Sequence, residues 1–467
     1  MTAVWMVAVV GMGLAQAAPP TLDPAPLPTC ADCSVLWIVV DTTRADALGC
    51  YGQSGPTTPN MDAMAARGVV FEQAYAQGPS TLVSVSSYMS GRYRRNTGMD
   101  YTIYTRDRQY HPLSGELTMV AEVLGERGWR TRGVVANPVI GSDIDWDPQV
   151  HQGFETWEKD VDEKVVQRGI ELLQEHSGER SLVYLHLMGP HVPNGPRGGF
   201  EERRGLEPRT DLKGLGRTYN DMNTGELTPS SADIEYLQAL YADDLWWADA
   251  QVGRVLDELQ RLELDQRTLV VLHSDHGEAL GDLLNYRSAP GTGEKPTMAQ
   301  WDHMGPLVEQ VLHVPLLMAG PGLPAGSRVE RLVELVDVAP TLTAYLGIET
   351  EPAWRWEGAP LFGPTGPGEE TVATAISDKG RDGKQHTSVR SLTHGVYTLE
   401  ETGETWYYRL DVPGGPVTTV PPVAAHRDLE QRLQGYLDSA VAPETTETMD
   451  APEGSMLEAL RELGYME

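Results

Sequence analysis

Between Ser34 and Val40 the chain reads Ser-Val-Leu-Trp-Ile-Val-Val, an almost unbroken apolar, β-branched run that stops at Asp41. A strand covered on both faces has this pattern, because neither face alternates with water. Comparable runs at Thr131–Ala136, Ser181–His186, Thr268–His273 and Val314–Ala319 predict further buried strands. Helical spacing fills the intervals at Asn60–Arg67, Leu82–Ser90, Thr118–Arg127, Val161–His176, Ser231–Leu262 and Val336–Leu346. Strands alternating with helices predict an α/β fold with a mostly parallel central sheet flanked by helices. The pattern changes after about residue 365: Thr371–Ser377, Ser388–Thr393, Val396–Glu400 and Thr405–Leu410 predict short antiparallel strands, and Leu429–Leu437 a helix on them. The expected organisation is a large domain over 34–365 and a small C-terminal α/β domain over 366–467. Two stretches, Pro193–Pro229 and Leu283–Gln300, predict long loops of the kind that frame a site.

Composition narrows the classes of function. The 467 residues are 40% hydrophobic and 22% charged, ordinary for a globular protein. Lys plus Arg number 36 against 67 Asp plus Glu, a net charge of −31 that repels phosphate backbones and sets nucleic acid aside as a partner. Val4–Leu14 is a short apolar run before Ala15-Gln16-Ala17, a small-x-small cleavage pattern, although no Lys or Arg precedes it. The expectation is a signal peptide over 1–17, a linker over 18–33, and a periplasmic or secreted protein without a transmembrane span. Of the three cysteines, Cys30 and Cys33 have CxxC spacing with no second pair for zinc, which after export predicts a small disulfide. Leu27-Pro28-Thr29-Cys30 is a poor lipoprotein box, and Cys50 is expected to be buried.

Ligands of open parallel sheets gather at the carboxyl ends of strands. Two such ends carry metal-ligand chemistry here: Asp41 closes the first strand, and Ser274-Asp275-His276-Gly277-Glu278 closes the Thr268–His273 strand. Asp41, Asp275 and His276 make a plausible set for one divalent cation, two carboxylates and an imidazole. Taken singly, Asp41 reads as a helix cap and Asp-His-Gly as a turn.

The ordered set of motifs resembles the sulfatase family of the alkaline phosphatase superfamily. The matching pieces are Val39–Asp46, Leu48–Gly52, Thr58–Asp62, Phe71–Tyr75, Ser90–Tyr93, Gly189–Pro193, Thr268–Gly281, Asp302-His303, Val311–Gly322, Asp337–Leu342 and Leu460–Tyr465. The resemblance implies the fold of that superfamily and a metal site. It places His191 and His303 at the ester or leaving oxygen, as catalytic and substrate-binding residues, and Arg92 at the oxyanion or its loop. Arg44 reads as structural, Glu278 as support for the metal loop, and His186 as a core histidine. The sequence departs from the family at the nucleophile. Family sulfatases carry Cys-x-Pro-Ser-Arg, whose Cys becomes formylglycine; here the segment is Thr81-Leu82-Val83-Ser84-Val85, and Thr42 stands where a second Asp is frequent. Thr81 is therefore the expected nucleophile and a fourth group at the metal, with an N-cap as its alternative role.

A threonine ester lacks the second hydroxyl through which a formylglycine hydrate expels sulfate, so water must attack sulfur or phosphorus directly. The expected function is a metal-dependent hydrolase of sulfuric or phosphoric esters. One divalent ion, calcium, manganese or zinc, is implied, and an anionic glycan or phosphoester is the expected substrate. Two alternatives remain: a transferase passing the group to an alcohol, and a silent relative that binds an anionic glycan.

Overall fold

The computed structural model describes residues 28–438 and 449–450, except 56, 102–108, 143–146, 195–199, 208, 210–211, 213–217, 220, 223–225, 282–300, 304–306, 363–372, 377–385, 401 and 411–416. The expected signal segment, the loop Leu283–Gln300 and the motif Leu460–Tyr465 lie outside the described residues.

The strands run in chain order as β1 (Ser34–Val40), β2 (Val69–Tyr75), β3 (Asp100–Tyr101), β4 (Gln109–His111), β5 (Arg130–Val135), β6 (Thr156–Lys159), β7 (Ser181–Leu187) and β8 (Thr268–His273). They continue with β9 (Ala279–Leu280), β10 (Trp301–Asp302), β11 (His313–Val314), β12 (Leu316–Ala319) and β13 (Ser327–Glu334). The longer helices are α1 (Pro59–Ala66), α2 (Thr81–Ser90), α3 (Val120–Glu126), α4 (Asp162–Glu175), α5 (Ser231–Arg261) and α6 (Val338–Tyr345). One nine-stranded sheet carries the molecule, with β1 between β8 and β7 and β5 beyond β7. All seven residues of β1 are buried, as its composition predicts. It pairs in parallel with both neighbours, placing Val39 opposite His186 on one side and His273 on the other.

The sheet is mostly parallel, but β12 runs antiparallel to both β8 and β2, and β11 antiparallel to β2. The apolar run Val314–Ala319 predicts a buried strand correctly but carries no information on direction. Three strands of this sheet, β2, β6 and β13, were not expected. Glu72 and Gln73 interrupt the apolar pattern of β2, and charges at Arg328, Glu330, Arg331 and Glu334 obscure β13. The latter pairs with β2, and its first half keeps Arg328, Glu330 and Arg331 in contact with water while Leu332–Glu334 are buried. The region Pro193–Pro229, expected to be loop, contains a one-turn helix at Phe200–Arg204.

Apolar layers cover both faces of the sheet. On one side Trp37, Val39 and Phe71 pack with Val85, Tyr88 and Leu342 of α2 and α6. On the other, Leu36, Ile38 and Val40 pack with Val165 and Val166 of α4 and Leu245 and Val252 of α5. Cys30 and Cys33 are bonded to each other, and Cys50 is half-buried rather than fully buried, with a free thiol.

Further on, β14 (Ala373–Ile376), β15 (His386–Arg390), β16 (His394–Leu399), β17 (Thr405–Leu410) and β18 (Val417–Thr419) form an antiparallel sheet in sequence order. The helix α7 (His426–Asp438) packs on it through Leu429 and Leu433, against Val389 and Val396. The two-residue β19 (Met449–Asp450) returns to pair with β4. Arg390 of β15 is buried, paired with the buried carboxylate of Glu309, and its guanidinium lies 4.1 Å from the Tyr75 ring. Arg390→Met is expected to destabilise the protein by about 3–5 kcal/mol, because it leaves Glu309 as an uncompensated buried charge. Urea unfolding measures this, and Arg390→Met combined with Glu309→Leu recovers most of the loss if the charge is the cause.

Candidate active site

Four adjacent strands, β8, β1, β7 and β5, end on one rim of the sheet, and each carries a polar residue at or just past its end. Asp41 follows β1, Asp275 and His276 follow β8, Asn137 follows β5, and His186 sits near the end of β7. The ends of β1 and β8 are stitched together. Thr43 N–H donates to Ser274 Oγ at 2.8 Å, and the Tyr241 hydroxyl of α5 donates to the Thr42 carbonyl at 2.9 Å. These bonds hold Thr42 at φ 51°, a left-handed conformation unusual for a β-branched residue.

Thr81 reaches this rim from α2. Ser80 is extended and precedes the helix, so Thr81 is its first helical residue rather than its cap. Its buried Oγ1 lies 3.4 Å from Asp41 Oδ2, 3.5 Å from His276 Nε2 and 3.1 Å from Asn137 Nδ2. All of α2 is buried, which accounts for the valines at the family's Pro and Arg positions: Val83 and Val85 fill apolar surroundings. Gly91 ends the helix in a left-handed conformation, φ 62°, where a side chain would meet the Trp356 ring.

Asp41, Asp275 and His276 offer ligand atoms within 4.8 Å of one another, and all three are buried. Asp41 Oδ1 and Asp275 Oδ2 have no hydrogen-bond partner. The His276 Nδ1 lies 3.0 Å from the Gly277 carbonyl, which only accepts, so Nδ1 is a donor and Nε2 is the ring atom turned to the carboxylates. Nε2 sits 3.7 Å from Asp41 Oδ1 and 3.6 Å from Asp275 Oδ2. Two carboxylate oxygens and a ring nitrogen converging in this way fit a divalent cation. The buried Thr42 Oγ1 also lacks a partner, at the position where the family frequently has an acid.

Other side chains hold these ligands in place. His186 Nε2 donates to Asp41 Oδ2 at 3.1 Å, and its Nδ1 is 2.8 Å from the Tyr184 hydroxyl, itself 2.6 Å from that of Tyr88. His186 is thus a core histidine with a task, orienting the first carboxylate. Burial opposes charge on both groups, but their bond and the surrounding charges outweigh it: Asp41 is held well below the usual carboxylate range and His186 is raised. His273 takes the Trp37 indole N–H at 2.7 Å on Nε2, and burial drops its pKa to about 3, so it stays neutral behind the site.

The expected histidines come together. His276 and His303 rings are 4.3 Å apart by centroid, and His303 and His191 rings 5.1 Å. Glu278, expected to support the metal loop, sits 3.2 Å from His303 Nδ1. Burial lowers the His191 pKa and favours the neutral ring. The loop carrying His191 is clamped from both sides. Asp162 accepts from Met188 and Gly189 N–H at 2.8 and 3.0 Å, and Asn194 donates to the Pro190 carbonyl and to Asp244.

Burial pushes Asp162 up to about 6. Its protonated form is favoured on folding, so the associated stability is complete below the unfolded value of about 3.9 and is lost as pH rises through about 6. Asp162→Asn is expected to gain about 2–3 kcal/mol on the native protein between pH 4 and 7, from that difference in pKa. Urea unfolding of both proteins at the two pH values measures it, and parallel curves refute the shift.

Arg92 is not part of the cluster. It follows the far end of α2, about 15 Å along the axis from Thr81, and its guanidinium lies 3.8 Å from Glu357. Arg44 is structural: it pairs with Asp46 and donates to the Glu278 carbonyl. Sequence reasoning passed over Asn137. The one signal available was its place after a predicted strand, directly before Pro138.

The architecture and the cluster at the strand ends define an α/β hydrolase of the alkaline phosphatase superfamily. Within it the assignment is specific: the sequence profile described as Sulfatase matches residues 34–348, and the chain belongs to the sulfatase family, as a sulfatase-like ester hydrolase. Human iduronate 2-sulfatase is 25% identical over 405 residues, covering 68% of this chain and 70% of its own. The low-salt glycan biosynthesis sulfotransferase Agl7 of Haloferax volcanii is 28% identical over 286 residues, 59% of this chain and 54% of its own. Among solved structures, BT4656 in complex with its substrate D-glucosamine-2-N,6-O-disulfate superposes with a TM-score of 0.67 at 17% identity, over 89% of this chain and all (100%) of that one. The phosphonate monoester hydrolase of Silicibacter pomeroyi gives 0.65 at 17%, over 87% of this chain and 94% of its own. At such identities the structures speak for the fold alone. Among the described residues, no helix is long and apolar enough to cross a membrane.

Proposed function

We propose that this protein is a cation-dependent hydrolase of sulfuric or phosphoric esters in which Thr81 is the nucleophile. The observation that carries this reading is the Thr81 hydroxyl, buried at the edge of a cradle in which Asp41 Oδ1 and Asp275 Oδ2 have no hydrogen-bond partner. Asp41, Asp275 and His276 would hold a divalent ion, which would supply Lewis acidity to the hydroxyl and to the oxyanion charge. The Thr81 oxygen forms a bond to sulfur or phosphorus, and the ester oxygen leaves with the electron pair of the broken bond. The leaving oxygen takes a proton from the histidine cluster. His303 is suited to this, because Glu278 fixes Nδ1 as its donor atom and leaves acid–base work to Nε2. Water then attacks the same centre and restores the hydroxyl.

Direct attack by water is plausible on a phosphothreonine and harder on a sulfothreonine, so mechanism favours a phosphoester while the family favours a sulfate ester. Nitrophenyl phosphate, phosphodiester, phosphonate and sulfate esters, assayed with calcium, manganese and zinc, decide between them. No turnover of any ester with any of the ions overturns the hydrolase reading. A relative named as a sulfotransferase supports a second reading, transfer to an alcohol, and product diverted by added alcohol is its signature. Export, the catalytic unit over 34–365 and an anionic glycan as the natural carrier of the ester belong to the same proposal.

A further inference from the structure

Asn137 has a geometry that neither the family motifs nor the cation cradle calls for. It is fully buried at the end of β5, and every polar atom of its amide is engaged. The carbonyl Oδ1 accepts the Val139 N–H at 2.8 Å, capping the turn Pro138–Ile140. That bond fixes the amide's orientation, because a flipped amide would set two donors against each other. The Nδ2 group is thereby aimed at the rim. One hydrogen goes to Asp41 Oδ2 at 2.6 Å and the other to Thr81 Oγ1 at 3.1 Å.

Resting on the reading of Thr81 as nucleophile, we propose that Asn137 is a catalytic residue that donates a hydrogen bond to the Thr81 oxygen and sets the direction from which that oxygen attacks. A neutral hydroxyl accepts this bond weakly. An alkoxide accepts it as a charge-assisted bond of roughly twice the strength. The interaction strengthens as charge gathers on the oxygen and turns the remaining Thr81 lone pairs toward the substrate. An amide neither gives up nor takes a proton near neutral pH, so Asn137 contributes no acid–base step. The Thr81 hydroxyl proton passes to the histidine cluster, which gives one proton to the leaving oxygen as its bond to sulfur or phosphorus breaks. Because the same Nδ2 also bonds Asp41, Asn137 fixes the separation between nucleophile and carboxylate.

Asn137→Ser keeps an oxygen able to cap the turn but removes the N–H that reaches Thr81. Asn137→Asp keeps the shape and the cap, and replaces the donor by an acceptor. Both are measured with the nitrophenyl ester that the wild type turns over and, independently, by calorimetric binding of orthovanadate, which mimics the group in transfer. The expected result is a fall in kcat of about 10²-fold with KM little changed, the size seen when one oxyanion donor is removed. Vanadate affinity is expected to fall roughly tenfold, as for loss of one charged hydrogen bond. In a Thr81→Ala background, Asn137→Ser is expected to remove no further vanadate affinity, since its partner is already gone. Wild-type kinetics and vanadate binding in both Asn137 variants overturn the proposal. So does an equal loss of vanadate affinity with and without Thr81, which marks a purely structural role. Full turnover in Thr81→Ala overturns the underlying nucleophile reading instead, and a wild type that neither turns over an ester nor binds vanadate overturns both.

Discussion

Thr81→Ala is expected to lower turnover by on the order of 10⁴-fold or more, the scale on which a covalent nucleophile is lost, while the protein still binds its cation. The expectation follows from geometry. Thr81 Oγ1 touches Asp41, His276 and Asn137, and α2 holds it there with every one of its residues buried. The three groups that define the cradle, Asp41, Asp275 and His276, are untouched by the substitution. Only a methyl and a hydroxyl disappear, at a helix start already preceded by Ser80, so the fold is expected to survive. Thr81→Ser keeps the oxygen and is expected to retain part of the activity. Steady-state kinetics with the nitrophenyl esters and calorimetry with the metal read the two effects separately. Unchanged turnover in the alanine variant removes Thr81 as nucleophile; lost cation binding with intact folding makes it a ligand first.

The second large effect is expected at Asp275, and its sign differs between the free and the cation-loaded protein. Asp275 is fully buried, its Oδ2 lacks a hydrogen-bond partner, and it faces His276 Nε2 beside the equally buried Asp41. Without a cation this arrangement is strained, because a buried charge without compensation is costly. Asp275→Asn removes one of the two carboxylates and is expected to raise the melting temperature of the chelator-treated protein. The same change is expected to weaken cation binding by more than the roughly 10–100-fold typical of groups that only support ligands. Wild type should gain about 2.7 kcal/mol when the ion is at 100 times its Kd, and Asp275→Asn should gain nothing at that concentration. Thermal melts with and without each ion read both signs. A variant that is less stable than wild type in chelator, yet stabilised by the ion to the same degree, rules out the cradle.

Much of this was legible in the chain because buried parallel strands announce themselves. The runs at 34–40, 181–187 and 268–273 appear as strands at nearly the expected bounds, since a segment apolar on both faces has few other stable places to go. Where one face meets water the signal failed: β13 with its alternating charges was missed, and the antiparallel direction of β12 has no local signature. Arg92 shows the limit of motif matching. It falls inside a matching segment, yet ten helical residues carry it away from the rim.

By itself the sequence determined the α/β class, the polar residues that stop each buried strand, and the loss of the cysteine, proline and arginine around Thr81. These are properties of single segments, written in local composition and order. The tertiary structure decided which strand ends are neighbours. Because β8, β1, β7 and β5 lie side by side, Asp41, Thr81, Asn137, His186, Asp275 and His276 share one rim although up to 235 positions separate the first from the last (276 − 41). Strand order is set by crossovers and by packing of two apolar faces, which no single segment encodes. Asn137 and His186 became site residues only through that order, since their side chains reach Asp41 by adjacency of strands and by nothing in the residues beside them.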